Sequence, residues 1–258
     1  MGVMIKKQWI LFCYALSFFS RVPVPKSINF KMFPFHLGNA YLPLIGLLYA
    51  FVCFSVYSFM AMFFEPVVSV VIMLCAGLLL TGAFHEDGFA DSCDGFGGGY
   101  SKTQRLAIMK DSHIGTYGVV GLILLFVLKI NLLTNFALQG DYDFFYLLIS
   151  MAVLSRFSVL SVMQFSQYAR ENEKSKSTLS SNRLPYRYLL TALFFSLLSL
   201  CWMPLIWAFV CVSTIGLTTL SSGLYFNKQL GGYSGDCLGF LQQLNEIILL
   251  LTVTALLK

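Results

Sequence analysis

Between residues 85 and 118 the chain carries His85-Glu86-Asp87-Gly88-Phe89-Ala90-Asp91-Ser92-Cys93-Asp94-Gly95-Phe96-Gly97-Gly98-Gly99. Further on it reads Lys110-Asp111-Ser112-His113-Ile114-Gly115-Thr116. Five of its twelve acidic residues fall in this stretch. On a helix, Asp87, Asp91 and Asp94 follow one another at i+4 and i+3, which puts three carboxylates on one face. A row of like charge repels, and a hard divalent cation relieves that repulsion. Mg²⁺ takes oxygen ligands, keeps several waters and favours a few carboxylates together with substrate phosphates. The spacing therefore points to Mg²⁺-assisted phosphate chemistry, with Asp87, Asp91, Asp94 and Asp111 as metal ligands and catalytic groups. Ligation rich in histidine or thiolate, which would favour zinc or copper, is missing. Arg105 and Lys110 supply charge for phosphate oxygens. The glycines at 95 and 97–99 are expected to let the backbone bend around a bulky ligand. The rival reading, a solvated acidic loop, leaves the spacing, the glycines and the basic residues unexplained. Glu86 points about 100° away from Asp87 on any helix. Two groups are candidates for the base: His85, whose ordinary pKa lies near neutrality, and Asp111.

Such a site must be held by elements built for lipid. Of 258 residues, 57% are hydrophobic and 11% charged, where soluble domains carry about a quarter charged residues. Disorder and coiled coil are excluded on the same ground. A hydrocarbon core needs about 20 apolar residues per helix. Runs near that length are Tyr41–Phe64, Val67–Phe84, Tyr117–Leu138, Phe144–Phe165 and Phe240–Leu257. The uncharged stretch Tyr188–Phe226 is long enough for a hairpin turning near Trp202 to Pro204. The expected fold is an all-α, polytopic integral membrane bundle of about seven transmembrane helices in a single domain, residues 1–258. The apolar run Trp9–Phe19 is too short to cross and predicts an N-terminal interfacial or re-entrant helix.

With seven spans, 14 of the 17 Lys and Arg residues fall on one side. Cytoplasmic loops retain positive charge, so this side is expected to face the cytoplasm, acidic segment included. The net charge of +5 therefore gives no reason to expect nucleic acid as a partner. The seven cysteines form no CxxC pair and read as small hydrophobes. Lys129, Arg156 and Glu246 lie inside spans, where charge is costly and faces a partner or a polar cavity. Arg156 and Glu246 are placed to pair below the acidic segment, either touching substrate or fixing the bundle. Asp236 opens the last span on the same side as the acidic segment. It is either a ligand for metal or ribose, or the N-cap of that helix.

These residues resemble the cobalamin synthase family, also called adenosylcobinamide-GDP ribazoletransferase. The likeness runs over nearly the whole chain. It is carried by Arg21-Val22-Pro23-Val24-Pro25, by His85 with Asp87-Gly88-Phe89-Ala90-Asp91 and Asp94-Gly95, and by Met109-Lys110-Asp111-Ser112 with Gly115-Thr116. Ser155-Arg156, Tyr168-Ala169-Arg170 and Ser234-Gly235-Asp236 add to it. The resemblance implies transfer of α-ribazole, or its 5′-phosphate, onto adenosylcobinamide-GDP with release of GMP, in the bacterial inner membrane. It implies substrate contacts from Arg21, Arg105, Lys110, His113, Arg156, Asp236 and Glu246. The expected partners are the small-molecule substrates and membrane lipid, and a homo-oligomer is compatible. Glu86 stands where the family usually has an apolar residue and is not carried over as a ligand. His113 replaces the usual Arg, and Gln243 a common acidic residue.

Two rivals were weighed. Asp91-x-x-Asp94-Gly95 matches the opening of the CDP-alcohol phosphotransferase signature, but the remainder of that signature is missing. A cation transporter or channel would show paired broken helices and symmetric halves, and the sequence shows neither.

Overall fold

The computed structural model describes residues 2–170 and 181–257. Lys174, Lys176 and Lys258, counted in the charge asymmetry above, lie outside the described residues, as does most of the basic stretch between Arg170 and Arg187. Ten α-helices make up the described architecture: α1 (Gly2–Phe19), α2 (Leu42–Met60), α3 (Pro66–Thr81), α4 (Phe84–Gly98), α5 (Lys102–Ile108), α6 (Thr116–Ala137), α7 (Asp141–Phe165), α8 (Tyr186–Leu198), α9 (Leu205–Leu230) and α10 (Gly235–Leu256). A 3₁₀ turn, Phe35–Tyr41, leads into α2. The described residues contain no strand, only an isolated bridge between Tyr168 and Tyr233.

Five segments are long and apolar enough to cross a membrane: Phe35–Met60, Thr116–Ala137, Asp143–Phe165, Leu205–Leu230 and Gly235–Leu256. The other two expected spans fall short. At about 1.5 Å per residue, α3 and α8 reach only about 20–24 Å against a hydrocarbon core of about 30 Å. α3 is followed by α4 after a 90° bend, the geometry of a broken span or of a re-entrant segment. Gly82 and Ala83 make that bend, both in the left-handed region at φ 69° and 55°. Two such residues in succession cannot continue a right-handed helix. The expected hairpin does turn before Pro204, the residue that precedes α9. α1 is longer than its apolar run because the polar turn holding Lys6 and Lys7 is helical too.

The core has two large clusters and a small third one against α4. One cluster joins α2, α3, the end of α6 and the first half of α7 through residues such as Tyr57, Met73, Leu133 and Phe144. The other joins α1, the 3₁₀ turn, the end of α7 and the start of α10 through Leu11, Tyr14, Leu160 and Leu241. Outward faces are apolar as well, with Val120, Ile123 and Leu124 of α6 and Phe209, Leu217 and Leu220 of α9 all exposed. Water would not leave such belts bare on a monomer, whereas lipid does.

Candidate active site

The acidic segment is helical, and the three-aspartate stripe lies on α4 as the spacing required. α4 is poor in large apolar residues, so close backbone approach holds it in place. A Cβ at Gly88 would stand 3.0 Å from the Asp236 Cα, and one at Gly239 would stand 2.8 Å from the His85 carbonyl oxygen. Glycine at both positions lets α4 and the start of α10 cross almost backbone to backbone. The Phe89 and Phe240 rings stack beside the crossing at 5.2 Å.

Burial along the stripe is graded: Asp87 is exposed, Asp91 half-buried and Asp94 buried. The Asp91 carboxyl is pushed up to about 7, first by burial and then by the charges of Asp87, Asp236 and Asp94, with Arg170 opposing. Four carboxylates from two helices therefore act on one another. Asp94, however, is already committed. Its Oδ2 accepts the Gly115 N–H at 2.7 Å and its Oδ1 the Gly118 N–H at 2.8 Å. These amides belong to the first turn of α6, where orphan N–H groups attract a carboxylate. Asp94 is thereby fastened to the start of α6, and Asp236 of α10 joins the α4 carboxylates in acting on Asp91.

Asp236 is not the N-cap of α10. Ser234 is, with its Oγ accepting the Cys237 N–H at 3.3 Å. The Asp236 carboxylate instead receives Arg170 Nη2 at 3.1 Å and the Ser234 hydroxyl at 3.2 Å. Arg170 also donates to the Leu106 carbonyl. It is the functional residue that the sequence reading missed; its signal was a basic residue two positions after Tyr168, whose strand-like bridge to Tyr233 brings it to α10.

Among the described residues, no three His, Cys, Asp or Glu side chains form a ready-made metal cage. Mg²⁺ does not need one, because it retains waters and shares its ligands with phosphates. The donor set fits that behaviour: all ligands are oxygens, and the proton affinity of Asp91 is already raised by neighbouring anions. Asp87, Asp91 and Asp236 are the residues that would hold the ion.

Other expected residues fall in different surroundings. His85 is buried, with its ring parallel to Phe19 at 6.4 Å and edge-on to Phe84 at 5.4 Å. It borders a cavity of about 50 Å³ shared with Tyr168 and Tyr233. Its burial among these rings sets it apart from the exposed Asp87 carboxylate. Asp111 is exposed and is bound by His113 Nδ1 at 2.6 Å, not by the α4 aspartates. The contact lowers the Asp111 pKa and raises that of His113. Their loop is pinned at both ends to α4, through Met109 against Gly95 and Gly115 on Asp94. Gly95 and Gly97 therefore make room for Met109 and Tyr117 rather than for a ligand, contrary to expectation.

The Arg21 side chain lies over Gly82 at the bend, and Arg105 Nη1 reaches the Gln229 carbonyl at 3.4 Å. Lys110 is exposed. Arg156 and Glu246 were expected to touch substrate, but each is 1% exposed and they face one another within the bundle, with Lys129 on the other oxygen of Glu246. The alternative that they fix the bundle is the one this burial supports. A cavity of about 410 Å³ opens among largely apolar residues of α7, α8 and α9, and one of about 540 Å³ lies between α1 and α8 beside Lys7 and Arg187; neither is lined by the carboxylates.

Comparison with known proteins agrees with the motifs. The family model described as cobalamin-5-phosphate synthase matches residues 11–254. A relative from Pseudoalteromonas atlantica, named adenosylcobinamide-GDP ribazoletransferase, is 39% identical over 253 residues, covering 96% of this chain and 92% of its own. Proteins of the same name from Shewanella frigidimarina and Vibrio vulnificus are each 36% identical, covering 96% and 97% of this chain and 95% and 98% of theirs. No solved structure matches the chain. An unbroken match of this extent, over a helix that presents its aspartates as the motif requires, shows that the chain belongs to the cobalamin-5-phosphate synthase family.

Proposed function

We propose that this protein is a membrane transferase of cobalamin synthesis. It joins adenosylcobinamide-GDP to α-ribazole, or to its 5′-phosphate, and releases GMP. The observation that carries the reading is the close backbone crossing of α4 and α10, which brings the carboxylates of Asp87, Asp91 and Asp236 near enough to act on one another, in a chain of this family. The ribose hydroxyl oxygen attacks the phosphorus attached to cobinamide, the phosphoanhydride bond to GMP breaks, and the hydroxyl proton passes to a base. Mg²⁺, when bound, neutralises charge on the diphosphate. In such displacements positioning and electrostatics matter more than covalent catalysis.

The chain's own residues do the rest. Asp87, Asp91 and Asp236 would hold that cation. Arg170 holds Asp236 in place. Arg105 and Lys110 flank the site with positive charge. His113, oriented by Asp111 and raised in pKa by it, accepts the hydroxyl proton. The basic side of the bundle, with the carboxylates, faces the cytoplasm of the bacterial inner membrane.

The test is to supply purified protein in lipid vesicles with adenosylcobinamide-GDP and either α-ribazole or its 5′-phosphate. GMP release that requires both a corrinoid and a ribazole substrate, and Mg²⁺, supports the reading. Release of CMP from a CDP-alcohol under the same conditions, without GMP release, would overturn it.

A further inference from the structure

Glu86 precedes Asp87, yet its side chain turns inward and is only 8% exposed. Its Oε1 accepts Gln243 Nε2 at 2.8 Å, while its Oε2 is buried without a partner. Gln243, on α10, accepts Lys129 Nζ of α6 through its own Oε1. Lys129 also binds Glu246, which meets Arg156 of α7 at 3.5 Å. Arg156 lies over the Tyr49 ring of α2 at 4.8 Å. A continuous polar chain thus runs from the first turn of α4 through α10, α6 and α7 to α2.

The forces on α4 explain why such a chain is needed. Asp87 and Asp91 on α4 face Asp236 on α10, so like charge pushes the two helices apart at the mouth. The apolar cluster holding α4 is small, with Phe89, Leu125 and Ile247 as its buried members. Glu86 lies about 100° around the helix from Asp87, so a bond to Gln243 on that inner side opposes the opening and fixes the rotation of α4. We infer that Glu86, Gln243 and Lys129 form a strap that positions the carboxylate helix; they are positioning residues and do not touch substrate. The inference rests on the reading of the α4 aspartates as the reactive face.

The geometry makes the pair at 86 and 243 exchangeable only together. Q243E sets Glu86, a new carboxylate and Glu246 against two cations, with two carboxylates in direct contact. E86Q leaves two cations facing Glu246 alone. E86Q/Q243E restores two of each, with the carboxylate next to Lys129 and the amide of residue 86 donating to it.

The native Cys93 reports the position of α4 independently of turnover. It is half-buried between Asp91 and Asp94, against Gly121 of α6. Its alkylation rate is to be read by peptide mass spectrometry on the full chain in vesicles, beside kcat and KM for GMP release. Q243E is expected to lower kcat about tenfold and to speed Cys93 alkylation about fivefold, and E86Q/Q243E to return both to within about threefold of the parent. If Q243E does not accumulate, the isosteric E86Q carries the labelling comparison, with an expected rise of about threefold. A double variant as poor as or worse than the poorer single, or labelling unchanged in E86Q and Q243E, would overturn the strap. Failure of the reaction reading appears differently: the parent releases no GMP, while the labelling pattern still reports the strap.

Discussion

Two charged regions, about three helical turns apart along α10, follow opposite rules. At the mouth, Asp87, Asp91 and Asp236 bring like charge together, and burial followed by this like charge raises the Asp91 carboxyl to about 7. In the bundle below, Lys129, Arg156 and Glu246 bring opposite charges together at 1% exposure. Counted with buried Glu86, the inner group holds two cations and two carboxylates and is balanced by the chain itself, so it serves the fold. The outer group is offset on the chain only by Arg170, which is why the proposed function gives it a cation from outside. Charge placed in a membrane protein is therefore read by whether its partner is on the chain, not by how much of it there is.

Breaking the inner balance should have the largest effect. Arg156→Leu leaves Glu246 buried with only Lys129 and the glutamines, and is expected to cost about 3–5 kcal/mol, seen as loss of folded protein in detergent on heating. Breaking the outer group should spare the fold. Asp91→Asn is expected to reduce GMP release about a hundredfold or more with an unchanged melting profile; a lowered melting temperature would place Asp91 with the inner group. Asp94→Ala sharpens the boundary between the two. It frees the amides of Gly115 and Gly118 and is expected to cost about 1–3 kcal/mol of stability, with activity lost only as α6 loosens. His85→Phe should matter least. A ring of similar volume fits between Phe19 and Phe84, with a cost under about 1.5 kcal/mol and activity within a few-fold; a complete loss of turnover would restore His85 as the base.

The outer region was largely legible in the sequence, the inner one only in part. The i, i+4, i+7 spacing placed the aspartates on one stripe because helix geometry is local. It did not show that Asp94 is consumed by the start of α6, since that contact spans more than twenty residues and depends on Gly115 and Gly118 lying against α4. The pairing of Arg156 with Glu246 could be anticipated, because charges in a span must find each other. The link from Lys129 through Gln243 to Glu86 could not, because neutral Gln243 carries no charge signal. The five long spans and the hairpin followed from apolar run length. The 90° turn did not, since Gly82 signals flexibility while Ala83 in a left-handed conformation signals nothing. Arg170 was missed because its place beside Asp236 is set by the Tyr168–Tyr233 bridge.

The central claim is that Asp87, Asp91 and Asp236 together hold a divalent cation, and Mn²⁺ binding followed by paramagnetic resonance tests it without turnover. The parent protein in vesicles at pH 8 should bind Mn²⁺ in competition with Mg²⁺. Binding should weaken at pH 6, where Asp91, with its raised pKa, is protonated and the cation competes with a proton. Asp91→Asn and Asp236→Asn should each lose binding at both pH values. Mn²⁺ bound equally well by the parent and by both variants, with no dependence on pH, would contradict the account.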